Sequence, residues 1–360
     1  MCLRTDRFDR IHRLLVRYGA SHNGDIEKKA VIYTRDEHHI RPGLIDADAL
    51  WVIKRLRESG NSAYVVGGAV RDLLTHRKPK DFDIATDAHP QRVKRIFRNS
   101  RIVGRRFRIV HVLFAHGKVV EVSTFRSRRE GDSNNTYGTM GEDAWRRDFS
   151  FNALYYCPME GQVIDYVGGF EDIAAKRVKT LVPAEVSFHE DPVRMIRAVK
   201  YASLTDSRLP ASMAGIIKRY AGEILSCSVE RLTEEVYKIL CTGKAEEILA
   251  EFQKLRLLEV ILPAVESSLK KSRTRFADSP FAKRLQRLDG RTREGTILER
   301  DRMFAFLFED LVREGIPHFR SPEAFSQIQD LIRSQAAPLF PSRKDLMTAA
   351  EVLRESGRRH

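Results

Sequence analysis

A chain of 360 residues is too long for one ordinary core, and its composition, 42% hydrophobic and 31% charged, is globular. No apolar stretch reaches the ~18 residues of a transmembrane helix, and the N-terminus MCLRTDRFDRIHRLL lacks a signal-peptide core, so neither is expected. The net charge of +14 favours a polyanionic partner, most simply nucleic acid, while four scattered cysteines (Cys2, Cys157, Cys227, Cys241) without a CxxC pair point away from zinc and disulfides and fit a reducing cytoplasm.

Residues 1–45 read as a polar, irregular extension with some helix. DADALWVIKRLRESG (Asp46 to Gly60) has apolar residues at helical spacing and a terminal glycine, which predicts a helix. SAYVVGG then predicts a short buried strand, AVRDLLTH a helical turn or two, and KDFDIAT a second strand. HPQRVKRIFRN predicts a helix opened by Pro90. The run from Arg92 to Arg108 carries eight basic residues and no acid, which suits a phosphate-facing surface better than a merely solvated helix. RIVHVLFAHGKVVEVSTFR alternates around a glycine-bearing turn and reads as a hairpin; Ser127 to Gly141 is rich in turn formers and reads as a mobile loop. Beyond about residue 170 strand signals fade, and helices are expected from Asp191 to the end, with the basic stretch SLKKSRTRFADSPFAKRLQRLDGRTREG partly a loop.

Two aspartates one residue apart pose the chemical question. On a strand, Asp81 and Asp83 share a face, and two carboxylates this close repel unless a cation lies between them. Magnesium, a hard ion with oxygen ligands, answers that need. Glu121 sits in a second alternating run that a neighbouring strand would bring alongside, and three carboxylates can hold two ions about 4 Å apart for in-line phosphoryl chemistry. A solvated sheet edge is the bland reading. Upstream, Gly67 and Gly68 close the first strand, so their amides either approach a phosphate or form an ordinary tight turn. The pattern is not GxGxxG, and a dinucleotide site is set aside.

Strand, GG, helix and a strand with DxD resemble the nucleotidyltransferase superfamily that includes DNA polymerase beta. GGAVRD (Gly67 to Asp72), DFDIAT (Asp81 to Thr86), EVSTFR (Glu121 to Arg126), RRDFSFNAL (Arg146 to Leu154), HEDPVRMIRAVKYA (His189 to Ala202) and SVERLTEEVYKIL (Ser228 to Leu240) together resemble the class II tRNA nucleotidyltransferase and bacterial poly(A) polymerase family, from about residue 33 to about residue 265. The resemblance implies an α+β fold: an extension (1–45), a polymerase-beta-like head with a mixed sheet (46–180), a helical neck reading the base (181–250) and a helical body (251–360). It implies template-independent nucleotide addition to RNA 3′ ends with Mg²⁺ held by Asp81, Asp83 and Glu121. Gly67, Gly68 and Arg71 would hold the ATP triphosphate, and Arg147, Asp148 and Asn152 the ribose and phosphates. Asp191 and Arg194 would meet the edge of the base, Arg197 would lie one turn further along, and Glu230, Arg231 and Glu235 would brace the helices.

Plain structural roles are open for each: Asp148 or Asp191 as a helix cap, and Glu190 with Arg194, Arg231 with Glu235, or Glu234 with Lys238 as simple helix pairs. IVGRRFRIVHV (Ile102 to Val112) and the run Thr34 to Leu50 resemble the poly(A) polymerase branch, with Arg105, Arg106 and Arg108 facing RNA or triphosphate and His111 a histidine on a strand. No HD-type phosphohydrolase region follows the neck. The expected enzyme is a cytoplasmic poly(A) polymerase acting on mRNA or other transcripts, with RNA-decay proteins as possible partners. The alternatives are CCA or A addition to tRNA, and an RNA-binding protein without catalysis.

Overall fold

A computed structural model describes residues 16–20, 26–104, 108–127 and 137–355. The chain divides into two compact units, Met1–Leu181 and Val182–His360.

The first unit is built on one nine-stranded sheet. Its strands are β1 (Val16–Ala20), β2 (Ile26–Tyr33), β3 (Ala63–Val66), β4 (Asp83–Thr86), β5 (Ser100–Val103), β6 (Ile109–Leu113), β7 (Val119–Thr124), β8 (Leu154–Cys157) and β9 (Gln162–Asp165). Their order is β1-β2-β9-β8-β3-β4-β7-β6-β5. The β4–β7 pair is parallel and the other pairings are antiparallel. Its helices are α1 (Arg35–His38), α2 (Ala47–Glu58), α3 (Gly68–Leu74), α4 (Pro90–Ile96), α5 (Met140–Trp145) and α6 (Gly169–Ala174).

Local chemistry explains these elements. The Asp46 side chain accepts from the amides of Asp48 and Ala49 and starts α2, whose Ala49, Val52, Ile53 and Leu56 make one buried stripe. All four residues of β3 are buried because both faces of the central sheet are covered. Ala63 and Val65 join the core under α2 and α4, whereas Tyr64 and Val66 pack with Phe125 and Tyr155 on the other face. Pro90 opens α4 as expected, and β6–β7 form the expected hairpin around a turn at Ala115–Gly117.

Three expectations are corrected. The polar stretch before residue 45 contributes two strands: β2 pairs with β9 and β1 extends the edge. Its charged sequence IEKKAVIY hides the strand pattern, because a strand near the sheet edge tolerates polar side chains. The second aspartate strand begins only at Asp83, and Asp81 precedes it. Of the loop expected at 127–141, residues 128–136 lie outside the described residues, and α5 begins at Met140 with a capping box between Thr139 and Glu142.

The second unit is helical among its described residues: α7 (Ala184–Glu190), α8 (Val193–Leu204), α9 (Ala211–Tyr220), α10 (Val229–Leu240), α11 (Ala245–Lys254), α12 (Leu257–Ile261), α13 (Pro263–Ser272), α14 (Pro280–Arg293), α15 (Met303–Gly315), α16 (Ala324–Gln335) and α17 (Arg343–Glu355). The basic stretch expected to be partly loop is mostly α13 and α14, joined through a short 3-10 turn at Phe276–Asp278.

Candidate active site

The site grows from the end of β3. Val66 pairs with Asp83, and Gly67 follows with φ 68° and ψ −131°, a backbone that side chains other than hydrogen rarely adopt. A Cβ on Gly67 would lie 3.3 Å from Arg147 Nη1, and one on Gly68 3.5 Å from Arg71 Nη2. The glycine pair therefore lets the backbone approach two guanidinium groups.

Both arginines are held. Arg71 is buried; its Nε and Nη2 donate to Asp72 Oδ1 at 2.9 and 2.7 Å, and its Nη1 donates to Asn152 Oδ1 at 2.7 Å. Asn152 Nδ2 in turn donates to Asp148 Oδ1 at 3.0 Å, which also accepts from the Phe149 amide at 2.9 Å. The turn at Ser150–Asn152 has Phe149 as its N-cap and no side-chain cap, so Asp148 is not the helix cap that was open to it; it holds the Phe149 amide and orients Asn152. Arg147 donates to Asp143 Oδ2 at 2.9 Å, and its guanidinium lies 5.3 Å from the Tyr155 ring centroid. Burial opposes the Arg147 charge, yet Tyr155 and Asp143 raise its pKa above that of an ordinary arginine, so it is a fixed cation.

Asp143 was not expected from the sequence. It is 3% exposed and accepts from the Tyr155 hydroxyl at 2.7 Å, the Arg126 amide at 3.2 Å and Arg147. Burial alone would raise its pKa, but Arg147, the Tyr155 hydroxyl and Arg126 hold it below the usual carboxylate range. Burial pushes the Tyr155 phenol up. The available signals were the capping-box spacing Thr139 to Glu142 and the i, i+4 spacing of Asp143 and Arg147.

The carboxylates stand beside this cradle. The parallel β4–β7 ladder pairs Ile84 with Val122, so Asp83 and Glu121 lie on adjacent strands, and His111 of β6 pairs directly with Glu121. Ile84 and Val122 belong to the core under α2 and α4, which sends Asp83 and Glu121 to the other face. Both are exposed, as is Asp81 just before the strand. His111 Nε2 lies 3.2 Å from Glu121 Oε1, while its Nδ1 is buried and has no hydrogen-bond partner among the described residues.

Oxygen-only donors of this kind fit a hard divalent cation. Among the described residues, however, no three His, Cys, Asp or Glu side chains already converge as a metal site. Arg108 is exposed just before β6; Arg105 and Arg106 lie outside the described residues.

The second unit carries its own constellation. Asp191 ends α7 and receives Arg231 Nη2 at 2.9 Å on Oδ2, while its Oδ1 is buried and has no partner among the described residues. Arg194 Nη1 donates to Ser187 Oγ at 2.9 Å and to Glu190 Oε2 at 3.2 Å, so the expected i, i+4 pair is present. Arg197 Nη1 and Lys200 Nζ reach Glu235 at 3.3 and 2.5 Å and tie α8 to α10. Burial opposes ionisation of Glu235, but Lys200 and Arg197 bring its pKa below the usual value. Arg231 pairs with Asp191, not with Glu235, and Glu230 is exposed; Glu234 and Lys238 do pair, at 3.7 Å.

Residues 63–179 match the sequence profile "Poly A polymerase head domain", and residues 210–269 match "Probable RNA and SrmB- binding site of polymerase A". Poly(A) polymerase I of Salmonella typhi is 36% identical over 293 residues, spanning 77% of this chain and 63% of that protein. The chain belongs to the poly(A) polymerase and CCA-adding enzyme family. A CCA-adding enzyme of Lactobacillus gasseri is 38% identical over 219 residues, spanning 56% of this chain and 54% of that protein. The crystal structure of the Bacillus stearothermophilus CCA-adding enzyme in complex with CTP superposes with a TM-score of 0.58 at 28% identity, covering 86% of this chain and 82% of that one. The fold of the chain is thus that of the family, a nucleotidyltransferase head and a helical body. The chain spans less than two thirds of the Salmonella relative's length. Among the described residues no helix is long and apolar enough to cross a membrane.

Proposed function

We propose that this chain transfers AMP from ATP to RNA 3′ ends without a template, releasing pyrophosphate. The reading rests on one observation: Val66, Asp83, Glu121 and His111 form a row across β3, β4, β7 and β6, and the glycine turn leaves that row directly. Carboxylates and a guanidinium-lined phosphate cradle are thereby neighbours.

In this reading the Gly67 and Gly68 amides, Arg71 and Arg147 hold the triphosphate, and Asp148 with Asn152 orients the ribose. Asp81, Asp83 and Glu121 would hold Mg²⁺, which when bound lowers the pKa of the 3′-hydroxyl and neutralises the departing pyrophosphate. The 3′-oxygen bonds to the α-phosphorus as the bond to pyrophosphate breaks, and the hydroxyl proton leaves to solvent or a carboxylate. His111 engages Glu121 Oε1, which leaves Oε2 for the metal or the proton. Asp191 Oδ1, oriented by the Arg231 contact on Oδ2, and the Arg194 guanidinium favour adenine.

Adenylation is preferred to CCA synthesis because similarity to the poly(A) polymerase spans 77% of the chain and similarity to the CCA-adding enzyme 56%. The second reading, CCA addition to tRNA, draws on the CTP-bound neighbour. Purified protein with a divalent metal, each labelled nucleoside triphosphate and two RNAs separates them. Long products from ATP alone on a generic oligonucleotide support polyadenylation. CTP followed by one ATP, only on tRNA lacking its CCA end, would establish the second reading. RNA binding without incorporation would make the chain a non-catalytic binder. Asp83→Ala is expected to abolish transfer with an unchanged circular dichroism spectrum; an active, metal-dependent variant would remove Asp83 from the site.

A further inference from the structure

The head carries a concavity on the helix-covered face of its sheet, away from the face that bears Asp83 and Glu121. Its volume is about 780 Å³, within the ~300–1,000 Å³ typical of small-ligand sites. It lies between α2, the end of α4 with the loop after it, and the end of β6. Among the described residues, every charged lining residue is an arginine: Arg55, Arg95 and Arg98. Arg55 makes only an exposed contact with Glu58 at 3.4 Å, and Arg95 and Arg98 have no hydrogen-bonding or acidic partner among the described residues. Trp51 lines the same pocket. Its ring is braced against Phe97 at 5.5 Å and Phe114 at 5.8 Å, yet it is 48% exposed.

A large aromatic held at the surface and two unpaired guanidiniums are expensive to leave without a use: the aromatic forgoes burial, and the arginines repel one another. A nucleotide unit satisfies both, with its base stacked on the indole and its phosphates on the forks of the arginines. We propose that this pocket binds a single-stranded segment of RNA, one base against Trp51 and adjoining phosphates on Arg95 and Arg98. It is separate from the carboxylate row and from the matched segment 210–269. The inference rests on RNA being the substrate proposed above, but its test needs no catalysis.

The test is equilibrium binding of a labelled single-stranded RNA to the full chain without ATP, repeated with AMP alone as competitor. Trp51→Ala should weaken RNA binding roughly 5- to 150-fold, the loss expected for one stacked base, and Trp51→Phe should restore most of it. Arg95→Ala with Arg98→Ala should make the slope of log affinity against log salt shallower by about 1.4, since each single-strand phosphate contact contributes ~0.7. The exposed arginines should be removable with melting curves that match the parent, and Trp51→Ala, which gives up its packing on Phe97 and Phe114, should stay folded with a lowered melting temperature, while Trp51→Phe separates lost stacking from lost structure. Parental affinity and salt slope in folded variants would overturn the proposal. So would a loss confined to the arginine variant, which would mark a general polyanion patch, and so would AMP that competes as well per nucleotide as RNA, which would mark a free-nucleotide site. ATP incorporation on a short primer is scored separately. Retained RNA binding with no incorporation would count against the enzymatic reading alone.

Discussion

His111 and Glu121 face each other at one rung of the β6–β7 ladder, and the histidine has a buried Nδ1 that no other described residue holds. The arrangement makes Glu121 a carboxylate with one oxygen already directed, and His111 a positioning residue for it. We expect His111→Ala to lower kcat by about 10- to 100-fold, the usual effect of removing a partner that orients a metal-ligating group, and to weaken apparent metal affinity while KM for ATP changes little. His111→Gln, which keeps a donor in reach, should recover part of the loss. A variant with parental kcat and metal dependence would reduce the contact to cross-strand packing. Asp143 gives a prediction of a different kind. Asp143→Asn breaks a buried pair and leaves the Arg147 charge uncompensated, so a loss of about 3–5 kcal/mol is expected in urea unfolding. The sign with pH follows from its lowered pKa. Its contribution is fully present above the ordinary carboxylate value of 3.8 and is lost as pH falls through the lower folded value. The parent should therefore lose more stability on that acid side than the asparagine variant does.

At the scale of elements, the junction of β3 and α3 is the most constrained. Gly67→Ala would force a side chain into a backbone region that costs of order 1–3 kcal/mol and would bring its Cβ within 3.3 Å of Arg147 Nη1. A raised KM for ATP and a modest fall in melting temperature should appear together; Gly60→Ala, with φ 82° but nothing near its Cβ, should lower stability without touching KM. This junction was legible in the sequence because Gly67–Gly68, the alternating β6–β7 run and the DxD spacing are local signals. The same holds for α2, where the cap at Asp46 and the buried stripe lie within one turn pattern. The strands β1 and β2 were not legible, since charged residues at a sheet edge erase the alternation that identifies a strand. Nor was the Asp143–Arg147–Tyr155 knot, because only the fold brings Tyr155 of β8 beside α5. Asp81 shows the same limit on a smaller scale. Spacing alone put it on the strand with Asp83, whereas the β3 ladder stops at Val66 opposite Asp83 and leaves Asp81 in the approach to the strand.

Over the whole molecule the dominant quantity is charge. The net +14 is carried largely by lysine and arginine, and on the head a basic run supplies unpaired arginines to a pocket wall rather than to ion pairs. Such charge acts on a polyanion chiefly through release of its counterions, so its effect is readable as a salt dependence. With as few as three phosphate contacts, at ~0.7 per contact for a single strand, affinity for RNA should fall about 20-fold between 50 and 200 mM salt. Binding of free ATP, whose grip is assigned to Arg71 and Arg147 inside hydrogen-bonded networks, should fall far less over the same range, because fixed and partly buried cations are screened less than exposed ones. Measuring both ligands on one preparation makes the comparison internal. If RNA and ATP weakened in parallel, the surface charge would have no role of its own in holding RNA, and the net charge would be a property of solubility alone. A steep RNA slope beside a shallow ATP slope would mean that the chain recruits RNA through its exposed arginines and commits ATP through its buried ones.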